Sequence, residues 1–384
     1  MSQSPCFAMV AGEASGDLLG GALLAACRQR WPQLRSFGIG GAAMSAQGFE
    51  AWWPERKLAV RGYVEVLPHL RELLAIRRQL RERLLAAPPD VFIGVDAPDF
   101  NLDLEVALRA QGVATVHFVS PSFWAWRARK VEKLRAAADH VLCLFPFEPE
   151  LLAAQGVPAT FVGHPLASMI PMAPDQQAAR ASLGLPEGGP VVALLPGSRQ
   201  SEVKHLAGRF FQAARLLLRE RPELRFVVPV LPALRPAVEQ AARAAGWSGP
   251  DAQALHLVDG RSHQVLAACD SALVASGTAT LEAALFKRPM VIAYHMPWLS
   301  WQIMRRKQLQ PWVGLPNILC REFVVPELLQ ESATPEALAE GVLHWLKHPQ
   351  EARALAQRFE RLHHDLRRDT ARLACDAIEK IIAA

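Results

Sequence analysis

VFIGV-DAPDFN, residues 91–101, joins a short apolar run to a cluster of polar side chains, and it decides the fold. The apolar half is typical of a strand buried on both faces of a parallel sheet. Pro98 prevents simple continuation of that strand. Asp96, Asp99 and Asn101 therefore come where a buried strand ends, which is where ligands bind in open α/β sheets. A carboxylate there could accept a proton from a substrate hydroxyl, and the alternative is that Asp96 and Asn101 only cap the next helix.

Units of strand, loop and helix recur through both halves of the chain. The first half has predicted strands at 7–11, 34–39, 91–95, 114–119 and 140–144, and the second has them at 191–195, 225–230, 255–258, 272–275 and 290–294. Such alternation predicts a parallel sheet covered on both faces. We therefore predict an α/β protein with two Rossmann-like domains that face each other across a cleft. The expected domains are 1–168, 169–345 and a helical segment, 346–384, that packs back on an N-terminal domain.

Composition limits the class of protein. The 384 residues are 51% hydrophobic and 21% charged with a net charge of +5, which indicates a globular chain and suits an anionic ligand or membrane surface. Ten Trp against two Tyr, with no RNP-like or zinc-finger spacing, argue against nucleic acid. Six widely spaced cysteines without a CxxC motif favour a reduced, cytoplasmic setting without zinc or disulfides. We expect neither a signal peptide nor a membrane-spanning helix.

Two loops of the second half have the form of anion-binding sites. In LPGSR (195–199), Gly197 permits close backbone approach, Ser198 lies at a helix start, and Arg199 offers a fork of donors to phosphate. In SGTATLE (276–282), small residues leave room for a ligand, and Glu282, one turn into the helix, could accept ribose hydroxyls. The alternatives are an ordinary turn with a solvated arginine, and a capping serine with a surface glutamate.

The loop after the first strand, Gly12–Asp17, lacks the G-x-G-x-x-G pattern of a dehydrogenase. No D-x-D motif occurs, so we expect neither a metal nor a cofactor. The motifs favour transfer from a nucleotide-activated donor to a hydroxyl. In that interpretation Asp96 takes the proton, and Arg199 with the helix start holds the leaving diphosphate.

Three segments with basic and apolar residues predict contact with an anionic membrane surface. One is the arginine-rich helical pattern at 67–86. The others carry the aromatic and basic residues Phe123, Trp124, Trp126, Arg127, Trp298 and Trp301. A sheet-covering helix and plain core aromatics are the alternatives, and the alternative is the better explanation of the helix on periodicity alone.

Eight stretches, in order along the chain, resemble the lipid-A-disaccharide synthase family, inverting glycosyltransferases of the GT-B fold. They are AGEASGDLLG (11–20), GIGG (38–41), GVDAPDFN (94–101), SPSFWAWR (120–127), FVGHPL (161–166), LPGSRQSE (195–202), SGTATLEAAL (276–285) and LPNIL (315–319). The resemblance implies that UDP-2,3-diacylglucosamine is joined to 2,3-diacylglucosamine 1-phosphate in lipid A and lipopolysaccharide biosynthesis, with release of UDP.

The resemblance also implies residue roles. Asp96 would be the base on the acceptor 6-hydroxyl, although Asp96 and Asp99 stay open as alternatives. The residues implied to hold UDP are Ser198, Arg199, Ser276, Gly277, Thr278 and Glu282, and those implied to line the cleft are Glu13, Ser15, Asn101 and Asn317. The family further suggests a cytoplasmic enzyme peripheral on the inner membrane and a homodimer that exchanges C-terminal segments. Rival assignments are a UDP-GlcNAc epimerase, a polyprenyl-linked glucosaminyltransferase and a non-catalytic UDP-sugar-binding protein.

Overall fold

The chain forms two compact units, each built around its own parallel sheet. The computed structural model describes residues 4–58, 63–126, 130–297, 301–302, 305–306 and 309–383. The first unit comprises Met1–Ser168 together with Leu366–Ala384, and the second comprises Met169–Asp365. The predicted α/β fold with two parallel sheets and a helical C-terminal segment is confirmed.

The first sheet has seven parallel strands in the order β3-β2-β1-β4-β5-β6-β7. Its strands are β1 (Cys6–Ala11), β2 (Arg35–Gly40), β3 (Glu50–Pro54), β4 (Val91–Val95), β5 (Ala114–Phe118), β6 (His140–Cys143) and β7 (Ala159–Phe161). The helices between them are α1 (Ala14–Arg30), α2 (Ala42–Ser45), α3 (Tyr63–Ala86), α4 (Pro98–Arg109), α5 (Phe123–Trp126), α6 (Lys130–Ala137), α7 (Glu148–Ala153) and α8 (Pro165–Met169), with a 3-10 turn at Glu55–Lys57.

Alternate residues of the central strands supply the two faces of this sheet. Met9 and Ile93 belong to the core cluster that includes α1, while Val10 and Phe92 belong to the cluster that includes α3 and α4. All four side chains are fully buried. Burial on both faces explains why these strands are continuous apolar runs rather than alternating ones.

The second sheet has six parallel strands in the order β10-β9-β8-β11-β12-β13. Its strands are β8 (Val191–Leu195), β9 (Arg225–Val230), β10 (Leu255–Asp259), β11 (Ser271–Ala275), β12 (Met290–Tyr294) and β13 (Glu327–Leu329). Its helices are α9 (Gln176–Ser182), α10 (Gln200–Glu220), α11 (Arg235–Ala244), α12 (Ser262–Ala268), α13 (Thr278–Leu285), α14 (Leu315–Cys320), α15 (Pro335–Lys347) and α16 (Pro349–Leu366), with 3-10 turns at Pro232–Leu234, Gly249–Ala254 and Gln330–Ser332.

The last helix returns to the first unit. The segment 346–384, predicted as helices that pack back on an N-terminal domain, is divided between the units: α16 lies in the second unit up to Asp365, and α17 (Thr370–Ile382) lies in the first. Helix α17 packs on α1, where Arg30 forms ion pairs of 2.5 Å with Asp376 and 2.7 Å with Glu379. Within the described part of the chain, every helix is too short or too polar to cross a bilayer.

Candidate functional site

The winding direction of each sheet reverses once, and the candidate loops lie at these reversals. In the first sheet β1 and β4 are neighbours, with Ala11 beside Val95, so the loops after both strands leave the same sheet edge together. In the second sheet β8 and β11 are neighbours, with Leu195 beside Val274. Such topological switch points are where open α/β sheets bind ligands. The fold thus gives each unit one candidate site, at a place that sequence order alone does not show.

The turn after β4 is strained. Asp96 and Ala97 both have left-handed backbones, with φ of 52° and 45°, although neither is glycine. Each such residue costs on the order of 1–3 kcal/mol and persists only where its surroundings fix it. Gly12, at the end of the neighbouring strand, permits this turn, because a Cβ there would lie 2.5 Å from the Ala97 Cβ.

The backbone of Asp96 is anchored on both sides, while its carboxylate is not. Its N–H donates to the Phe118 carbonyl at 2.8 Å, and its carbonyl accepts from Asn101 Nδ2 at 2.8 Å. The half-buried carboxylate has no hydrogen-bond partner within the described ranges, so no described donor occupies its oxygens. Asp99 is exposed on the first turn of α4. Asn101 was expected to line a cleft but is fully buried, where it holds the Asp96 turn instead.

The acidic residue that ends the stretch Gly12–Asp17 serves another helix. Glu13 is half-buried and Ser15 is exposed. The buried Asp17 carboxylate accepts backbone N–H groups of Gly41 at 2.7 Å, Ala43 at 2.8 Å and Met44 at 3.1 Å. Asp17 therefore satisfies the start of α2, and those amides, which belong to the GIGG stretch and the residues after it, are already engaged.

In the second unit, the loop Gly197–Arg199 already holds an anionic group. Glu202 Oε2 accepts the backbone N–H groups of Ser198 at 2.9 Å and Arg199 at 3.3 Å, and Glu202 Oε1 accepts from Arg199 Nη1 at 2.8 Å. Gly197 has a φ of 124°, and a Cβ there would lie 2.4 Å from the Glu202 Cβ. The donors predicted to bind phosphate are thus directed at one carboxylate. Glu202 was not predicted from its motif, although its place in the first turn of α10, three residues after Arg199, could have indicated it.

The second loop of this unit pairs its acidic residue with a histidine. Gly277 and Thr278 are exposed, and the Ser276 N–H donates to the Ala293 carbonyl at 2.9 Å. Glu282 Oε2 lies 3.3 Å from His263 Nε2. His263 comes from α12 and no motif indicated it. Tyr294, at the end of β12, has a raised pKa because it is partly buried and because the Glu202 carboxylate is near, while Arg199 acts in the opposite direction.

Asn317 was also expected to line a cleft, but its side chain supports a loop. The residue is fully buried, and its Oδ1 accepts the N–H groups of Val324 at 2.8 Å and Val325 at 3.0 Å. Its Nδ2 donates to the Val325 carbonyl at 2.9 Å and to Glu327 Oε1 at 2.8 Å. Every hydrogen-bonding atom of the amide is therefore used within the protein.

Two of the aromatic residues predicted to contact a membrane lie inside the first unit. Phe123 and Trp124 are each 6% exposed. Trp124 packs edge-on against Phe145 and Phe147 and donates its indole N–H to Glu148 Oε1 at 3.0 Å. These two side chains are thus engaged within the protein, and membrane contact through this segment stays a prediction, because an aromatic–basic pattern does not distinguish an interface belt from a core. Trp301 is half-buried, whereas the Trp126 side chain, Arg127 and Trp298 lie outside the described residues.

Burial shifts two titrating groups beside this aromatic cluster. Burial raises the pKa of Glu148 to about 7, although hydrogen bonds from Trp124 and from backbone N–H groups act against the shift. Burial lowers the pKa of His164 to about 4. The His164 ring stacks on Phe145 at 5.6 Å between centroids. Near neutral pH, Glu148 is thus the one of the pair whose charge changes.

Solved structures define the class first. A putative UDP-N-acetylglucosamine 2-epimerase from Listeria monocytogenes is similar, with a TM-score of 0.65 at 15% identity over 98% of this chain and 95% of that one. The glycotransferase of kitacinnamycin is similar with a TM-score of 0.61 at 17% identity over 99% of both chains. At these identities the likeness shows the fold alone, which is that of the GT-B glycosyltransferases and epimerases.

Sequence comparison then gives the family. The lipid-A-disaccharide synthetase family model matches residues 7–382, and the chain belongs to that family. A lipid-A-disaccharide synthase from Albidiferax ferrireducens is 62% identical over 387 residues, covering 100% of this chain and 98% of that protein. One from Verminephrobacter eiseniae is 59% identical over 381 residues, which cover 98% of this chain and 97% of that protein. The resemblance stated from the motifs is confirmed.

Proposed function

We propose that this chain carries out the glycosyl transfer of its family. The donor is UDP-2,3-diacylglucosamine, the acceptor is 2,3-diacylglucosamine 1-phosphate, and the products are the β(1→6)-linked disaccharide 1-phosphate and UDP. The observation that carries the proposal is the Asp96 turn: a half-buried carboxylate on a rigid, strained turn at a topological switch point.

The proposed chemistry is one displacement at the anomeric carbon. The acceptor 6-oxygen forms a bond to C1 of the donor sugar while the bond from C1 to the diphosphate oxygen breaks. Asp96 accepts the proton of the 6-hydroxyl, and UDP leaves with the bonding electron pair. A positioned base typically contributes 10²–10⁴-fold in rate. Attack opposite the leaving group converts the α-linked donor into a β-linked product.

The proposed nucleotide site lies in the second unit. The backbone donors of Ser198 and Arg199, the Arg199 guanidinium and the start of α10 would hold the diphosphate. Ser276, Gly277 and Thr278 would leave space at the neighbouring strand, since a Cβ added to Gly277 would meet no heavy atom of the described residues within 4 Å. Glu282 would accept the ribose hydroxyls, with His263 beside it. The roles are thus divided, with the base in one unit and the nucleotide in the other.

The first experiment measures UDP release from UDP-2,3-diacylglucosamine with and without the acceptor, for the wild type, Asp96→Asn and Asp99→Asn. We expect acceptor-dependent release that Asp96→Asn lowers about 10³-fold, with UDP binding retained, because the amide cannot take the proton. Asp99→Asn should retain most activity, since Asp99 lies on the exposed first turn of α4.

Each other outcome has a definite meaning. If UDP release were lost in Asp99→Asn but not in Asp96→Asn, the base would be Asp99. Conversion of UDP-GlcNAc without an acceptor would favour an epimerase. UDP binding without release by the wild type would leave a UDP-sugar-binding protein.

We also propose peripheral membrane association through helix α3. Ile76, Leu80 and Leu84 bury one face of this helix in the core. On the outside, Leu70 and Leu74 are 41% and 46% exposed, and exposed arginines accompany them. Apolar and basic groups side by side suit an anionic interface. Sedimentation with vesicles of anionic and of neutral lipid tests this, and the expected homodimer is tested by light scattering in solution.

A further inference from the structure

Behind the Asp96 turn lies a polar network that the proposed chemistry does not use. It consists of Asn101 and Glu105 on α4 and His117 on β5, all with 0% exposure. The histidine Nδ1 and Glu105 Oε1 are 2.8 Å apart. A buried ionisable pair needs an explanation, because taking such groups out of water is costly.

Asn101 links this network to the turn. Its Nδ2 faces two carbonyl oxygens, that of Asp96 at 2.8 Å and that of Val10 at 3.4 Å. Because both partners are acceptors, the amide must present its nitrogen to them. Asn101 therefore supports the backbone of Asp96, and Val10 lies on the neighbouring strand β1.

Glu105 follows Asn101 by one helical turn and shares its face of α4. Gly94 of β4 makes room for both: a Cβ there would lie 2.1 Å from Glu105 Oε1 and 2.9 Å from the Asn101 Cβ. The space above Gly94 is therefore filled by the asparagine and the glutamate, and His117 fixes the glutamate from the next strand. Among the described residues no hydrogen bond joins Asn101 to Glu105, so the asparagine is coupled to the Glu105–His117 pair through the space over Gly94 that it shares with the glutamate.

Folding this network is costly. One atom of each side chain, Asn101 Oδ1, Glu105 Oε2 and His117 Nε2, is buried without a hydrogen-bond partner among the residues that the structure describes. Each such group costs about 1–3 kcal/mol. Apolar residues of similar volume would often be neutral or stabilising here. Stability of the fold therefore does not account for the network, whereas the strained turn that it touches needs support.

We propose that Asn101, Glu105 and His117 are positioning residues that hold Asp96 in its left-handed conformation. This rests on the proposed function, in which Asp96 is the base. Asn101 acts directly on the Asp96 carbonyl, while Glu105 and His117 act through Asn101. Loss of the network lets the turn relax toward ordinary backbone angles, which moves the carboxylate. A misplacement of about 1 Å can cost about 10²-fold in rate.

The test compares Asn101→Ala and Glu105→Ala with Thr115→Val. Thr115 is a matched control: it is fully buried on β5 two residues before His117, and its hydroxyl bonds the Ala137 carbonyl at 2.8 Å, not the turn. We expect the first two to lower kcat about 10–100-fold with KM nearly unchanged, and the control to lose stability with kcat within about twofold. Glu105→Gln, which keeps a hydrogen-bonding group beside His117, should restore most of the activity.

Two further measurements separate positioning from general damage. In the Asp96→Asn background, Asn101→Ala should cost nothing more, because both act through one group. Amide exchange of Asp96, whose N–H is bonded to Phe118, should be about tenfold faster in Asn101→Ala but unchanged in Thr115→Val. Equal losses of kcat in the control and the network variants would overturn the proposal. So would a further loss of activity when Asn101→Ala is added to Asp96→Asn. If the wild type itself released no UDP, the proposed function would fail, and amide exchange alone would decide the network.

Discussion

The turn after β4 and the loop after β8 each lie where the winding direction of their sheet reverses, but they are built in opposite ways. At Asp96 the strain falls on two non-glycine residues and is held from behind by a fully buried asparagine. At Gly197 the unusual backbone angle falls on a glycine, and the loop is held from outside by a carboxylate that is 21% exposed. The first arrangement fixes one functional group in place. The second holds its donors around a carboxylate of the helix that follows the loop.

The largest effect should come from breaking the rigid turn at Gly12. A Cβ at Gly12 would collide with Ala97, so Gly12→Ala should displace Asp96 and lower kcat about 100-fold with little change in UDP binding. Steady-state kinetics measure the first and calorimetry the second. Adding Ala97→Gly removes the opposing Cβ and suits a φ of 45°, so the double variant should recover activity. A single variant with normal kcat would show that the turn is not rigid.

The next largest effect is expected at the loop Gly197–Arg199 of the second unit. Arg199→Ala removes the charged fork and should weaken UDP binding by about 10–100-fold, with a smaller change in kcat, as expected for loss of a charged hydrogen bond. Calorimetric titration with UDP measures it. Arg219→Ala, an exposed arginine on the last turn of the same helix, is the matched control and should bind UDP normally. Equal weakening in both variants would point to a general charge effect rather than a phosphate contact.

Glu148 adds a third carboxylate to those of Asp96 and Glu202. It is buried, and burial raises its pKa to about 7. The folded state therefore holds the proton more tightly than the unfolded chain does. The stabilisation is complete below the unfolded pKa, near 4.5, and is lost as pH rises through about 7. From pH 5 to pH 7 the wild type should lose about 2 kcal/mol more unfolding free energy than Glu148→Gln.

Denaturant unfolding at several pH values measures this difference. Glutamine keeps an acceptor oxygen for the Trp124 indole and does not titrate, so the comparison isolates the carboxyl. The contribution of His164 to stability changes with pH in the opposite direction. Its pKa is lowered to about 4, so the contribution is lost as pH falls. Parallel curves for the two proteins would contradict the assignment to Glu148.

The smallest effect concerns the anionic group inside the loop. Glu202→Gln keeps the shape of the side chain but removes the charge that occupies the Ser198 and Arg199 donors. UDP should then bind about three- to tenfold more tightly, because less of the free protein is in the occupied form. Glu220→Gln, which removes the same charge at the other end of α10, should leave UDP affinity unchanged. Weaker binding by Glu202→Gln would show that Glu202 shapes the loop for the nucleotide instead of competing with it.

Central strands were predicted well because their pattern reflects burial on both faces. β4 and β8 have the predicted bounds, Val91–Val95 and Val191–Leu195. The strands β3, β7 and β13 were missed. They are edge strands of three to five residues, and none is fully buried, so they lack a continuous apolar run.

At the candidate sites, the sequence indicated where the loops lie better than it indicated what each side chain contacts. The two asparagines illustrate this, since Asn101 and Asn317 lie in the expected motifs but are fully buried and support backbone. Polar residue type alone does not show whether an amide faces a ligand or a carbonyl of its own chain. Glu202 and His263 were missed because their importance depends on which atoms they reach.

The return of α17 to the first unit has a consequence for synthesis. Most of the first unit leaves the ribosome before the second, yet α1 keeps an uncovered face until Thr370–Ile382 has been made. The second unit, which is continuous in sequence, can close its own core before that. The first unit is therefore completed only after the second. During translation the apolar surface around Cys27 of α1 stays exposed until the helix that carries Cys375 has been made and packs on it.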